Sequence, residues 1–180
     1  DNNDWQNADQ ALASSLVFTK VPDGFTKTLI PLIAGYTFLE TITDVELKLK
    51  WPNDILLNES KVGGILVEER DNKICIGMGI NYFWDNPGLP NAASLYNEKI
   101  ENEKINQDAT RWAEQTLSTI QNEKFDLNEY RSKLTTLGKL IEYPEGRGWA
   151  RDIAEDGSLI VETISGKMIN LTSPLISEVK

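Results

Sequence analysis

The residues best suited to chemistry lie between positions 50 and 81, where charged, amide and glycine residues recur at three neighbouring points. The first is Lys50–Asp54 (K-W-P-N-D), the second is Lys61 with Gly63 and Gly64 behind it, and the third is Gly77–Asn81 (G-M-G-I-N). A lysine beside glycines suits an anionic ligand, because the ammonium supplies a point charge and the missing Cβ atoms expose the backbone N–H groups. The spacing therefore predicts an anion-binding site.

Each of these features has an ordinary structural explanation when it stands alone. Glycine pairs in adjacent strands often mark bulges or close packing, Pro52 with the polar residues after it is typical of a turn, and an isolated lysine is usually solvated. The stretch that contains all of them is 32 residues long, from Lys50 to Asn81. Their coincidence favours a site, because successive hairpins would bring the three points to the same ends of neighbouring strands.

The composition restricts the chemistry that such a site could perform. The 180 residues include no His, which removes Ser-His and Cys-His nucleophilic pairs and every His-containing metal site. The single Cys75 lies in an apolar run and is interpreted as a reduced core thiol, which favours a cytoplasmic location. A net charge of −10 argues against a nucleic-acid partner. The sequence has no stretch of roughly 20 apolar residues, so we also expect no membrane span.

The elements before residue 81 are predicted to form a rigid frame of strands around one helix. Apolar residues at steps of three and four predict a helix over 28–42. Strict alternation of apolar and charged residues predicts a half-buried strand over 45–50, which Pro52 ends. Asp71 and Asn72 predict a hairpin turn. Further strands are predicted over 11–19, 55–57, 61–68 and 74–80.

The remainder of the chain changes character after Gly138. A loop-rich stretch and two amphipathic helices come first, and short alternating runs separated by turn residues then predict a compact all-β module. We therefore expect an α+β protein with a mostly antiparallel sheet, flanking helices and a small β domain. The predicted boundaries are 81–106 for the loop, 108–120 and 127–137 for the helices, and 1–137 and 138–180 for the two domains.

The three motifs together resemble the core of the biotin protein ligases, also called biotin–[acetyl-CoA-carboxylase] ligases. K-W-P-N-D over Lys50–Asp54 with K-V-G-G-I-L-V-E over Lys61–Glu68 is highly specific for that family, and Gly77–Asn81 continues the match. Ala93–Leu95 is similar to its A-[TS]-S-L segment. The resemblance extends from Trp5 onward, and it implies a class II synthetase-like catalytic domain followed by an SH3-like β barrel.

The resemblance implies a reaction in two steps. The carboxylate of biotin attacks the α-phosphate of ATP to give biotinoyl-5′-adenylate and pyrophosphate, and a lysine of a biotin carboxyl carrier domain then takes the biotinoyl group and releases AMP. By its place in the motif, Lys61 is implied to be the catalytic residue that contacts the biotin carboxylate and the α-phosphate. Asp54 is implied to bind Mg²⁺ or to orient Lys61. The other implied contacts are Gly64 and Leu66 with biotin, and Trp5, Lys50, Asn53, Asp54, Asn81 and Ala93 with ATP.

The sequence departs from the family pattern at its start. Complete members carry a Gly-Arg-rich loop, G-R-G-R-x-G-R-x-W, before the tryptophan that Trp5 matches, whereas Asp1–Asp4 (D-N-N-D) precedes it here. We therefore expect the central and C-terminal part of a ligase. Its activity alone should be impaired, because the arginines that would offset its negative charge are missing.

Two other functions are compatible with these residues. The chain could be an inactive paralogue or a binding or regulatory module of the same fold, or it could be a lipoate ligase-like protein, because lipoate ligases share the superfamily fold and a catalytic lysine. Some family members form dimers through a sheet edge and some carry an N-terminal DNA-binding domain. The sequence leaves both features open.

Overall fold

The computed structural model describes residues 8–172 and 176–178, which form two five-stranded antiparallel sheets and three α-helices. This architecture confirms the predicted α+β class and its mostly antiparallel pairing. The strands are β1 Gln10–Phe18, β2 Lys48–Lys50, β3 Asp54–Leu57, β4 Ser60–Arg70, β5 Lys73–Phe83, β6 Leu140–Tyr143, β7 Gly146–Ile153, β8 Leu159–Thr163, β9 Met168–Leu171 and β10 Ser177–Glu178. The helices are α1 Ile30–Thr41, α2 Asn102–Asn122 and α3 Leu127–Lys133, and a 3-10 turn, Lys27–Leu29, precedes α1.

The first sheet has the strand order β1-β5-β4-β3-β2, and α1 and α2 pack against one of its faces. Helix α1 is buried along most of its length, and the indole of Trp112 in α2 donates a hydrogen bond to the carbonyl of Ala34 at 2.9 Å. The buried residues of α2 recur at steps of three and four, which is the pattern of an amphipathic helix. The helices thus leave the opposite face of the sheet, called here the open face, without a helical cover.

Strand β2 and helices α2 and α3 depart from their predicted bounds for identifiable reasons. Strand β2 starts at Lys48 rather than at residue 45, although Leu47 is buried as the alternation requires. Helix α2 begins at Asn102, six residues before its predicted start, because its first turns carry Ile105 as their one buried apolar residue and therefore show no periodicity. Helix α3 ends at Lys133 because the next residues turn to pair with β2, where the amide of Thr135 donates to the carbonyl of Leu49 at 2.8 Å.

The second sheet has the order β10-β6-β7-β8-β9. Within the residues described, β9 and β10 stand at opposite edges and no pairing joins them, so the sheet is open rather than the closed barrel that the resemblance implies. The SH3-like closure therefore stays a prediction. The division at residue 138 also stays a prediction, since buried residues of both sheets belong to one continuous hydrophobic core.

In the part of the chain that the structure describes, no helix is both long enough and apolar enough to span a lipid bilayer.

Candidate active site

The centre of the open face is lined by residues with small side chains or none. Along β5, every second residue from Ile74 to Tyr82 is buried, so the residues between them face outward. Two rows of outward-facing neighbours cross β1, β5 and β4, one formed by Ala13, Gly79 and Gly64 and the next by Ser15, Gly77 and Leu66. These residues leave the backbone accessible over a broad area of the sheet. Such a surface allows a flat ligand to lie close against the sheet.

A β-bulge at Val62 turns Lys61 onto this open face. Ile55 of β3 pairs with Gly63, and the next residue, Leu56, pairs with Lys61. Val62 is therefore the extra residue of β4, and it is fully buried. Regular alternation would place Lys61 and Gly64, three residues apart, on opposite faces of the sheet. The extra residue puts both of them on the same face. Bulges commonly re-aim a side chain in this way beside a functional site.

Lys61 forms an ion pair with Asp54 at the edge of the open face. The distance from Lys61 Nζ to Asp54 Oδ1 is 2.5 Å, and the Lys61 side chain is 53% exposed against 24% for Asp54. A Cβ atom placed on Gly64 would lie 3.6 Å from Lys61 Nζ, so the ammonium sits over backbone that carries no side chain. The carboxylate orients one N–H of the ammonium, and the other two can bind an anion. This contact supports the orienting role for Asp54.

The turn before β3 is fixed to β4 by Asn53. Its side-chain Nδ2 donates to the carbonyl of Ile65 at 2.7 Å, and the amide of Ile65 donates to the carbonyl of Asn53 at 2.9 Å. The side-chain N–H₂ is therefore committed to the fold, which leaves Oδ1 as the atom that Asn53 can offer to a nucleotide. Lys50, which is half-buried, pairs directly with Asp54 across β2 and β3.

Residues 91–96, called here the strap, run beside the start of β4 and the end of β5 and pair with the backbone of Lys61. The amide of Lys61 donates to the carbonyl of Asn91 at 2.7 Å, and the amide of Ala93 donates to the carbonyl of Lys61 at 2.9 Å. Asn81 holds the strap from β5, because its Nδ2 donates to the carbonyl of Ala93 at 3.1 Å and its carbonyl accepts from the amide of Leu95 at 2.9 Å. The strap thus connects three residues that the sequence singled out separately.

The turn that carries Asn53 and Asp54 is also anchored to the second sheet. The indole of Trp51 is almost fully buried and donates to the carbonyl of Gly157 at 3.0 Å, in the turn between β7 and β8. The backbone amide of Trp51 donates to the hydroxyl of Thr136 at 2.9 Å. The sequence carried no signal for this contact, which joins residues 106 positions apart.

The structure thus brings together most of the predicted site residues. Lys61, Asp54 and Gly64 are in mutual contact, and Leu66 is in the adjacent row with its side chain exposed. Trp5 lies outside the described residues. Among residues 8–172 and 176–178, no group of three His, Cys, Asp or Glu side chains is arranged to hold a metal ion. A site built for a resident metal is therefore not formed around Asp54, and Mg²⁺ binding there stays a prediction.

The sequence of this chain is similar to those of known ligases. Residues 1–81 match the model of the Biotin/lipoate A/B protein ligase family. The biotin–[acetyl-CoA-carboxylase] ligase of Mycobacterium tuberculosis is 29% identical over 156 residues, which is 78% of this chain and 58% of that protein. The chain therefore spans little more than half the length of this curated relative.

Solved structures show the same fold. The biotin protein ligase of Aquifex aeolicus superposes with a TM-score of 0.77 at 25% identity, over 94% of this chain and 82% of the other. A structure of the Aquifex aeolicus protein in complex with biotin and ATP gives a TM-score of 0.73 at 26% identity, over 94% of this chain and 78% of the other. The fold described above is thus that of a biotin protein ligase. Residues 1–81 are thus similar to the biotin/lipoate A/B protein ligase family, and the relative and solved structures named above are biotin protein ligases.

Proposed function

We propose that this chain carries out the ATP-dependent attachment of biotin to a lysine of a biotin carboxyl carrier domain, through biotinoyl-5′-adenylate. The observation that carries the proposal is the Lys61–Asp54 ion pair, which is exposed at the edge of a sheet face lined by Gly64, Gly77 and Gly79. A cation beside accessible backbone suits a ligand that is largely uncharged but ends in a carboxylate. Biotin has this character.

In the first step, an oxygen of the biotin carboxylate attacks the α-phosphorus of ATP, and the bond from that phosphorus to the bridging oxygen of pyrophosphate breaks. Both reactants are anions, so a cation must lie between them for the reacting atoms to meet. Lys61 performs this role with the two N–H groups that Asp54 does not orient. Mg²⁺, if it accompanies the phosphates of ATP, would supply further positive charge.

The proposed ligand contacts follow from the position of each residue around this cation. Biotin lies on the open face, against the backbone of Gly64 and Leu66. The nucleotide lies on the strap side, where Asn81 and the backbone of Ala93 meet, with the Oδ1 of Asn53 and the ammonium of Lys50 nearby. In the second step, the amine of the acceptor lysine attacks the acyl carbon, the bond to the AMP oxygen breaks, and the amine loses a proton.

We propose that the 180-residue chain by itself performs the first step slowly. Its sequence contains no Gly-Arg-rich loop, and its net charge of −10 opposes the approach of two anions. A rate of biotin-dependent pyrophosphate release equal to that of the relatives would contradict this part of the proposal. A cytoplasmic location and a carrier domain as the protein partner are consistent with the proposed reaction.

Ligand-induced stabilisation distinguishes biotin from lipoate. We expect biotin with ATP, at a hundredfold excess over the dissociation constant, to stabilise the folded chain by about 2.7 kcal/mol. For a chain of this size each kcal/mol raises the melting temperature by about 2–4 °C. Thermal unfolding monitored by tryptophan fluorescence measures the shift. A larger shift with lipoate would favour the lipoate ligase alternative, and a shift with biotin but no pyrophosphate release at any enzyme concentration would favour a binding module.

A further inference from the structure

Five polar residues beneath the strap form a connected group, called here the strap cluster. They come from four separate parts of the chain: the loop after α1, the end of β5, the strap itself and the first turns of α2. Its members are Asp44, Tyr82, Tyr96, Lys104 and Asp108. None of them carries a sequence signal, because they are spread over 65 positions and match no motif.

The outer half of the cluster holds the end of the strap. The hydroxyl of Tyr96 donates a hydrogen bond to the carboxylate of Asp44. Its oxygen lies 3.1 Å from one carboxylate oxygen and 3.0 Å from the other. The ammonium of Lys104 lies 5.8 Å from the centre of the Tyr96 ring, within the range of a cation–π interaction. Burial and the hydrogen bond to Asp44 raise the pKa of Tyr96, so its hydroxyl remains a donor at neutral pH.

The inner half of the cluster is built on a buried charge. The side chain of Asp108 is only 4% exposed, and its Oδ2 accepts from the hydroxyl of Tyr82 at 3.0 Å and from the ammonium of Lys104 at 3.1 Å. Tyr82 is fully buried, and its ring centre is 6.1 Å from that of Tyr96. The two halves therefore meet at Lys104 and at the neighbouring rings of Tyr82 and Tyr96.

Burying the Asp108 carboxylate costs free energy, because the charge is removed from water. Lys104 is 41% exposed, so only the Asp108 carboxylate of this pair is buried. Apolar residues of similar volume would often serve stability as well as a buried charge with its partners, whereas a fully bonded polar group fixes one geometry. The element fixed here is the strap, whose opposite end is bonded to Lys61 and Asn81. A shift of the Tyr96 end would therefore be transmitted to the backbone on which the nucleotide is proposed to lie.

We propose that Tyr96 and Asp44 are positioning residues for nucleotide binding, and that the strap cluster sets the position of the strap relative to Lys61. The inference rests on the proposed function, since it assigns the strap to the nucleotide rather than to biotin. Loss of the Tyr96–Asp44 contact should weaken ATP binding and leave biotin binding on the open face unchanged.

The test compares Tyr96→Phe and Asp44→Ala with the wild-type chain and with two controls. Tyr36→Phe removes a phenol hydroxyl from α1, away from the strap, and Asp44→Asn keeps an oxygen that can accept the Tyr96 proton. We expect the first two variants to raise about tenfold the dissociation constant of an ATP analogue whose α,β-phosphate bridge cannot be cleaved, measured by calorimetry, since small misplacements are costly in such sites. The biotin dissociation constant should stay within about twofold, and both controls should behave as wild type.

Amide hydrogen exchange provides a second measurement that needs no ligand. In the two disruptive variants, the amides of Ala93, Leu95 and Tyr96 should exchange about tenfold faster, because the strap opens locally, while those of β1 and β5 stay protected. Unchanged exchange of the strap amides would overturn the inference. An equal loss of ATP and biotin affinity would also overturn it, because it would indicate a general structural role. A wild-type chain that binds no ATP would instead refute the proposed function, and the exchange result would still decide whether the cluster positions the strap.

Discussion

Replacing Lys61 with alanine should lower biotin-dependent exchange between ATP and pyrophosphate by about 10²–10³-fold, the usual cost of removing a group that stabilises developing charge in a transition state. The ammonium lies 3.6 Å from the position that a Cβ atom on Gly64 would occupy, and its partner Asp54 holds it there. Without it, the two anionic reactants would meet beside an unpaired carboxylate. Exchange of labelled pyrophosphate into ATP measures the rate. If turnover is too slow for comparison, calorimetric binding of a non-hydrolysable biotinoyl-adenylate analogue reports the same contact.

Lys27→Ala is the matched control for this experiment. Lys27 forms an ion pair with Glu69 at 2.7 Å, and its side chain is 49% exposed, close to the value for Lys61. It lies outside the proposed site, so its removal should leave the rate unchanged. Lys61→Arg keeps the charge but changes its shape and reach, and it should retain part of the activity. Equal rates for Lys61→Ala and Lys27→Ala would contradict the role given to Lys61.

Gly63→Ala should destabilise the fold by about 3 kcal/mol, at the upper end of the range for inserting a methyl group into a packed interior. A Cβ at this position would lie 2.5 Å from the carbonyl oxygen of Gly79 and 2.5 Å from Cδ1 of Ile80. The carbonyl belongs to the neighbouring strand and cannot move without disturbing the ladder between β4 and β5. Equilibrium unfolding in urea measures the change in the free energy of unfolding.

Gly64→Ala separates stability from ligand binding at the adjacent position. Its Cβ would lie 3.4 Å from the carbonyl of Asn53 and 3.6 Å from Lys61 Nζ, which are ordinary contacts. We expect its free energy of unfolding to stay within about 1 kcal/mol of wild type. Biotin should bind more weakly, because the methyl group occupies the surface proposed for the ligand. Similar stability of the two variants would contradict the packing described at the bulge.

Much of the frame around the site could be predicted from periodicity. The alternation in β5 and the turn at Asp71 and Asn72 both appear as expected, and both turn residues adopt the positive φ angles that a tight hairpin requires. Helix α1 begins at Ile30, two residues after its predicted start at residue 28. These features depend on local sequence, and local patterns therefore suffice to find them.

The bulge at Val62 could not be predicted, although it decides where Lys61 points. Simple alternation would have placed Lys61 and Gly64 on opposite faces of the sheet, and only the pairing with β3 shows the extra residue. The motif match selected Lys61 and Gly64 together from their sequence alone, without any account of their orientation. The contact of Trp51 with Gly157 and the strap cluster escaped prediction for a related reason, since long-range hydrogen bonds leave no periodic pattern.

We propose that the open face binds the biotinoyl half of biotinoyl-adenylate, that the strap binds its nucleotide half, and that the two halves meet at Lys61. Titration of the isotopically labelled chain with the biotinoyl-adenylate analogue, followed by amide chemical shifts, tests this directly and does not depend on turnover. We expect the largest shifts at Lys61, Gly64, Leu66, Asn81 and Ala93. Shifts confined to the second sheet or to the helices, or no shifts at millimolar analogue, would contradict it.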